Sequence, residues 1–395
     1  MPRSIVTSMG VRIGCGLSTE SDAREGAGEA AQAALRPLDG AGVDLAVVFA
    51  SGTHLAAPEA TLEAAYDALS PQALIGCGAG GVLGAAHEIE DGTAVAVWAA
   101  HLGGGRATPF HAETVDVDEG VAIAGLPELD GAAAAILLAD PYSFPTDGLL
   151  RQLSHDAPGV PVLGGLSSAR TLEGAGALFA GETVASEGAV GARLDGLDVM
   201  PCVSQGAAPV GPELTITAAD GHVIEELAGV PALQKLRDVI GELKPGERAL
   251  VSQGMLLGIV TAPGKPDYER GDFLVRGILG GDPDTGAVAV GAAVAPGQVV
   301  RLHARDADSA DTDLREALGL RMAALGGDPP AGALVFTCNG RGQDMFGAPD
   351  HDAAALHREL QGAPAAGFFA AGEIGPVGGE SFLHGFTATV AIFPP

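Results

Sequence analysis

Short apolar runs bounded by glycine and proline alternate along this chain with longer stretches rich in Ala, Leu, Glu and Arg. By length and flanks the first kind are strands and the second are helices. Thr7 to Leu17 reads as a strand. Ser21 to Leu35 reads as an Ala-rich helix, with Ser21 at its N-cap and negative charge in its first turn.

One unit then recurs three times. An apolar strand ends in a polar loop containing Gly or Pro; a helix follows, then a second apolar strand running into glycines, then a hairpin. The first copy begins at Asp44-Leu45-Ala46-Val47-Val48-Phe49, continues through Ser51-Gly52-Thr53-His54 and a helix over Pro58 to Leu69, and returns at Ala73 to Val82. The second begins at Ala135 to Ala139, with the loop Asp140 to Pro145, a helix over Thr146 to His155 and a return strand at Val160 to Ser168. The third begins at Leu334-Val335-Phe336, with the loop Cys338-Asn339-Gly340-Arg341-Gly342, a helix over His351 to Leu360 and a return at Gly367 to Glu373. Between the second and third copies, a helix is expected over Pro231 to Ile240, mainly strands over Gly246 to Arg305, and a helix over Asp311 to Leu325. The pattern predicts an α/β fold, with mixed β-sheets, covering helices and repeated strand-helix-strand-hairpin units in two related domains. Their boundary is expected near Ala219 to Gly229, giving domains of 1–225 and 226–395.

Composition narrows the function classes. A chain of 395 residues exceeds one ordinary core. Fifty acidic against twenty-one basic residues give a net charge of -29, which argues against nucleic acid or an anionic membrane surface as partner. No apolar stretch reaches the roughly eighteen residues of a membrane helix. Met1 to Ile5 does not open a secretory leader, so a cytoplasmic protein is expected. Cys15, Cys77, Cys202 and Cys338 form no CxxC pair, which fits a reducing compartment. No metal or cofactor is expected. His351 and His357 lack metal-ligand spacing, and Gly78-Ala79-Gly80-Gly81 lacks both the dinucleotide and the P-loop pattern.

Ligands of open α/β sheets bind outside the carboxyl ends of strands, where the three polar loops fall. Arg341 suits bidentate recognition of a carboxylate. Glu373, in Ala371-Gly372-Glu373-Ile374-Gly375-Pro376, suits an ammonium, and Asn339 and Ser143 can orient either group. Together they describe a site for a zwitterionic amino acid. The structural reading beside it is that Arg341 and Glu373 pair with each other to close a loop. Gly340, Gly164 and Gly165 permit close approach of the backbone to a ligand. Cys338 and Cys77 read as nucleophiles or redox switches in one account and as buried structure in the other. His54 and His384 are candidate acids or bases, against ordinary hydrogen bonding. A hydrolase or transferase using Cys338 or Ser167 with His384 is the enzymatic alternative, and needs nucleophile and base within hydrogen-bond reach. A protein-binding adaptor is a third class.

With these motifs in place, the chain resembles the FIST-domain proteins over most of its length. The N-terminal part of the resemblance is carried by Asp44 to Ser51, Leu74-Ile75-Gly76-Cys77-Gly78-Ala79-Gly80-Gly81, Val162-Leu163-Gly164-Gly165 and Gly188 to Gly191. Cys338-Asn339-Gly340-Arg341-Gly342, Phe346, Gly372-Glu373-Ile374-Gly375-Pro376 and His384 carry the C-terminal part. The resemblance implies a sensory module for a small ligand, with amino acids proposed, that signals through a partner protein. In eukaryotes such a module can follow an F-box, whereas the first forty residues here read as a strand and a helix.

Overall fold

The structure is a computed structural model and describes residues 10–117, 120–169, 176–261, 263–265, 267–268 and 271–395. The expected start of the first strand at Thr7, and Met1 to Ile5, lie outside the described residues. The chain divides into two compact units. The first comprises Met1–Cys202, Arg315–Leu383 and Ala388–Pro395, and the second Val203–Leu314 and His384–Thr387.

The first unit opens with β1 (Arg12–Ser18) and α1 (Ala23–Leu35). The cap of α1 is Asp22 rather than Ser21. Its carboxylate accepts from Arg24 N–H and Glu25 N–H and so satisfies donors left open in the first turn. The first copy supplies β2 (Leu45–Ser51), α2 (Pro58–Leu69), β3 (Leu74–Gly78), the hairpin β4 (Val82–Gly84) and β5 (His87–Ile89), and β6 (Ala94–His101). A long hairpin, β7 (Arg106–Val117) and β8 (Gly120–Ala124), leads to the second copy. That copy supplies β9 (Ala134–Ala139), α3 (Thr146–Asp156), β10 (Val162–Leu166), the hairpin β11 (Leu178–Ala180) and β12 (Thr183–Ala185), and β13 (Ala189–Asp195).

The intervening chain is β14 (Met200–Ser204), β15 (Ala207–Asp220), β16 (Val223–Leu227), β17 (Val230–Pro231), α4 (Ala232–Glu242), α5 (Pro245–Gln253), β18 (Met255–Val260), β19 (Phe273–Gly281), β20 (Val288–Val290), β21 (Val299–Arg305) and α6 (Ala307–Ala324). The helix α5 sits where strands were expected, because Pro245 at its first turn and Glu247, whose carboxylate accepts from Lys244 N–H at 3.0 Å, start a helix after α4. The third copy supplies β22 (Gly332–Cys338), the single turn α7 (Gln343–Phe346), α8 (His351–Glu359), β23 (Ala365–Ala370), the hairpin β24 (Glu373–Val377) and β25 (Glu380–His384), and β26 (Ala388–Phe393).

Each copy builds the same three-strand core. A parallel pair joined by the helix (β2 with β3, β9 with β10, β22 with β23) is flanked by one antiparallel strand, β6, β13 or β26. The hairpins are exchanged in a ring. The first copy's β4 extends β23 of the third, the third's β24 extends β10 of the second, and the second's β11 extends β3 of the first. Three mixed sheets result, interlocked so that no copy completes its own sheet. Phe49, Leu138 and Phe336 occupy corresponding positions and enter one common core with Cys77 and Phe368. Phe49 stacks on Phe368 at 5.1 Å between ring centroids and meets Phe336 edge-on.

Helix α1 buries Ala27, Ala30, Ala31 and Ala34, one face at helical spacing, and contacts β1. A Cβ at Gly16 of β1 would lie 2.0 Å from the Ala30 carbonyl oxygen, so glycine there sets how closely helix and strand approach.

The second unit is a different structure. Its strands pair antiparallel in the order β15-β21-β18-β19-β20-β16, and β16 pairs back onto β15. The pairings therefore close on themselves through six strands in the manner of a barrel, with the short β17 added to β16. Ile216, Leu257, Val290 and Leu302 fill its core together with Leu236 and Val239 of α4.

Candidate functional site

Parallel strands present their carboxyl ends on one side, and the first unit uses this three times over. A cleft of about 2000 Å³ is lined by Gly52 after β2, Ala79, Gly80 and Gly81 after β3, Asp140, Tyr142 and Ser143 after β9, Ser168 after β10, and Asn339 after β22. All of its lining belongs to the first unit. The strand-end loops of all three copies thus meet on one cleft.

The loop residues divide into those that tie the loops down and those that face the cleft. Register aligns Val48 with Gly76, Leu137 with Gly164 and Val335 with Gly367. Counting forward, His54, Ser143 and Arg341 then occupy one corresponding position. In each copy that residue fastens its own loop. His54 is buried, with Nδ1 3.1 Å from Thr61 Oγ1 of α2 and Nε2 3.0 Å from the Glu20 carbonyl. Burial lowers its pKa, and the carbonyl partner assigns the proton of the neutral ring to Nε2. Ser143 Oγ donates to Asp140 Oδ1 at 2.7 Å and accepts from Gly188 N–H at 2.9 Å.

Arg341 and Asp352 are both fully buried. The guanidinium grips Asp352 through Nε at 2.8 Å and Nη2 at 3.0 Å, with its face over Phe346. Thr337 Oγ1 donates to the same carboxylate at 2.7 Å, and His351 Nδ1 lies 3.0 Å from it. Burial opposes ionisation of Asp352, but Arg341, His351 and Thr337 outweigh it and hold the carboxyl well below the usual range.

This arrangement corrects the expectation that Arg341 and Glu373 face a ligand. Both side chains are buried and neither lines the cleft, because Arg341 is spent on the N-terminal turn of α8 and Glu373 begins the exchanged strand β24. Asn339 is exposed and does line the cleft, as does Ser143. Gly340 supports the loop by donating its N–H to Cys338 Sγ at 3.5 Å. Gly164 and Gly165 serve strand packing: a Cβ on Gly164 would fall 1.9 Å from the Leu137 carbonyl oxygen, and one on Gly165 would fall 2.9 Å from Ala370 Cβ. Cys77 lies in the common core, where burial raises its thiol pKa far above the ordinary range. Ser167 Oγ donates to the Gly78 carbonyl at 2.7 Å. Cys338 is buried, and His384 falls in the second unit. No disulfide joins Cys15, Cys77, Cys202 or Cys338.

Sequence reasoning missed the acidic wall. Glu88, Glu90 and Asp91, on the exchanged β5 and its turn, line the cleft, as do Asp140 and Glu187 of the second copy. Glu59 and Asp344, in the first turns of α2 and α7, complete it, and no Lys, Arg or His is among the described lining residues. A readable signal was present: three carboxylates within four positions interrupt the otherwise apolar stretch from Val82 to Trp98.

These carboxylates also lock the exchange. Glu90 accepts from Gln343 N–H through both oxygens at 2.8 and 2.9 Å, and a Cβ on Gly342 would sit 2.0 Å from Glu90 Oε2. The last glycine of the Cys-Asn-Gly-Arg-Gly loop therefore makes room for a carboxylate from another copy. Glu88 Oε1 accepts from Ala353 N–H at 2.8 Å, while its Oε2 is buried without a hydrogen-bond partner. Burial, and then the nearby charge of Asp352, push its pKa up to about 8.

Between the ordinary value of 4.5 and about 8, folded Glu88 holds a proton that the unfolded chain has released. Its contribution to stability is fully present below that window and is lost as pH rises through it, with a slope of at most about 1.4 kcal/mol per pH unit. Glu88→Gln keeps the acceptor for Ala353 N–H and carries no titrating proton. Its Tm is expected to gain on that of the parent chain as melts are repeated from pH 5 to pH 8. Parallel curves would assign Glu88 an ordinary pKa.

Comparison with known proteins gives family matches over most of the chain. The FIST N domain matches residues 44–230, and the FIST C domain matches residues 232–376. The chain is 46% identical over 385 residues to the uncharacterized protein Rv0628c of Mycobacterium tuberculosis, covering 97% of this chain and 100% of that one. It is 44% identical over 385 residues to the uncharacterized protein Mb0898c of Mycobacterium bovis, covering 97% of this chain and 99% of that one. Among the described residues, no helix is long and apolar enough to cross a membrane. With both domain matches in sequence and relatives aligned from end to end, the chain belongs to the FIST family, whose domains are generally sensory and signal-transduction domains.

Proposed function

We propose that this protein is a cytoplasmic ligand sensor that takes a small polar metabolite, of the size of an amino acid or somewhat larger, into the cleft and reports its presence to a partner protein. The observation that carries the reading is the convergence of strand-end loops from all three copies on one cleft. This is the position where open α/β sheets bind ligands. The ring exchange of hairpins supports a signalling role. Glu88 and Glu90 come from the first copy and bond to α8 and α7 of the third, so a ligand touching these loops acts on more than one copy.

A thermal-shift screen with polar metabolites, amino acids included, tests the proposal. A ligand at one hundred times its Kd stabilises the folded state by about 2.7 kcal/mol, which reads as a rise of several degrees in Tm for a chain of this size. A saturable rise is expected from at least one compound class. A panel that leaves Tm unchanged at millimolar concentration would remove the sensor reading of this cleft.

A further inference from the structure

We infer that the ligand of the cleft is an organic cation carrying more than one ammonium group, a linear di- or polyamine, received by Asp140 and the surrounding carboxylates with Tyr142 against it. The inference rests on the reading of the cleft as the sensor site and adds the chemical class of its ligand.

An ammonium group finds its main partner in Asp140, which is 0% exposed yet lines the cleft. Its Oδ1 already accepts from Tyr142 N–H, Ser143 N–H and Ser143 Oγ, at 3.0, 2.8 and 2.7 Å. Its Oδ2 is buried without a hydrogen-bond partner. Native structures seldom leave buried acceptors unmet, since such an atom has given up its water without gaining a donor. An ammonium group brings three donors and the opposite charge. Two residues from Asp140, Tyr142 is 84% exposed and lines the cleft as well. A large aromatic ring held in solvent beside a buried carboxylate is suited to a cation–π contact.

The rest of the lining sets the charge and shape of the ligand. Glu59, Asp91, Glu187 and Asp344 continue the acidic surface, and the described lining offers no basic side chain to receive a carboxylate or phosphate. An amino acid would set its own carboxylate against this wall. A divalent metal ion fits poorly, because calcium needs six to eight converging oxygens and no three of the described His, Cys, Asp or Glu residues are grouped to hold a metal. Carboxylates spread along a cleft of about 2000 Å³ match instead a cation whose charges are spread along a chain.

Calorimetric titration of the full chain with spermidine, lysine, glutamate and calcium chloride at about 0.15 M salt tests the inference, since that ionic strength screens diffuse attraction to an acidic protein. Saturable spermidine binding is expected, at least tenfold tighter than lysine or glutamate. Asp140→Asn preserves the Oδ1 bonds and is expected to weaken spermidine at least tenfold. Tyr142→Ala removes an exposed ring and is expected to weaken it severalfold with Tm unchanged, which keeps the test open should Asp140→Asn unfold. Glu242→Gln, on an exposed position of α4, should change nothing. Tighter binding of lysine or glutamate, abolished by Asp140→Asn, would leave the sensor reading standing and overturn the amine. Calcium binding abolished by Asp140→Asn would do the same. Spermidine binding indifferent to both cleft variants would be diffuse attraction and would overturn the inference. Silence from every probe would overturn it, and a null metabolite screen would identify the sensor reading as the part that failed.

Discussion

Arg341→Ala is expected to destabilise the first unit by about 3–5 kcal/mol, the range for removing one partner of a buried ion pair. Asp352 would remain fully buried, still held by Thr337 and His351 but without the guanidinium. The N-terminal turn of α8 would lose its tie to the loop after β22, and the packing of the guanidinium on Phe346 would go with it. Asp352→Asn is expected to cost a similar amount by removing the buried negative charge that the guanidinium grips. The pair Arg341→Met with Asp352→Leu should recover much of the loss, because desolvation of both charges disappears together. Urea unfolding of the three variants checks this, and the double variant remains informative where a single one fails to fold. A loss below about 1 kcal/mol for Arg341→Ala, accompanied by loss of ligand binding, would return Arg341 to the ligand site.

Much of this fold was legible because strand and helix signals are local. The three copies can be read from runs such as Val47-Val48-Phe49, Ile136-Leu137-Leu138 and Leu334-Val335-Phe336, each followed by a polar loop and an Ala- or Leu-rich helix. The helix Pro245–Gln253 was hidden because its start depends on Pro245 and on the Glu247 carboxylate accepting from Lys244 N–H rather than on apolar spacing. The ring exchange of hairpins was not legible either. Val82-Leu83-Gly84 pairs with Phe368 to Ala366 nearly three hundred residues away, and nothing in either segment names the other.

The candidate site was legible to the level of the loop and not of the side chain. The Cys-Asn-Gly-Arg-Gly loop does border the cleft, through Asn339. Arg341 looked like a ligand-binding residue because its chemistry suits carboxylates. The carboxylate it finds is Asp352, eleven positions on. The burial of Glu88 was not legible, since its partner Ala353 N–H comes from a different copy. Sequence states what a charge can bind. Only the assembled loops decide whether its partner comes from the protein or from solution.

Gly367→Ala, Gly164→Ala and Gly76→Ala are each expected to cost more than about 3 kcal/mol, at or beyond the upper end for overpacking. These three glycines hold the same position in the second parallel strand of each copy. A Cβ there would lie 1.8 Å from the Val335 carbonyl oxygen, 1.9 Å from that of Leu137 and 2.0 Å from that of Val48. In each case the obstructing atom is backbone of the register partner in the adjoining strand, so it cannot retreat without disturbing the parallel ladder. Gly164 adds a φ of 152°, a conformation L side chains rarely adopt. The sign is what makes the experiment decisive. At an unobstructed position Gly→Ala stabilises by about 0.4–1 kcal/mol through the unfolded chain. Gly80 supplies that reference, because its Cβ would make its nearest contact at 3.4 Å, with the Ser168 carbonyl oxygen. Gly80→Ala should therefore melt within a degree or two of the parent chain while the other three melt far below it or fail to fold. The strand pair in each copy is held at this separation by the absent side chain, and the loops reach one cleft because all three pairs keep it. A neutral result at any of the three would mean that the pair in that copy sits further apart, and the equivalence that brings Gly52, Asp140 and Asn339 to one cleft would fail at that copy.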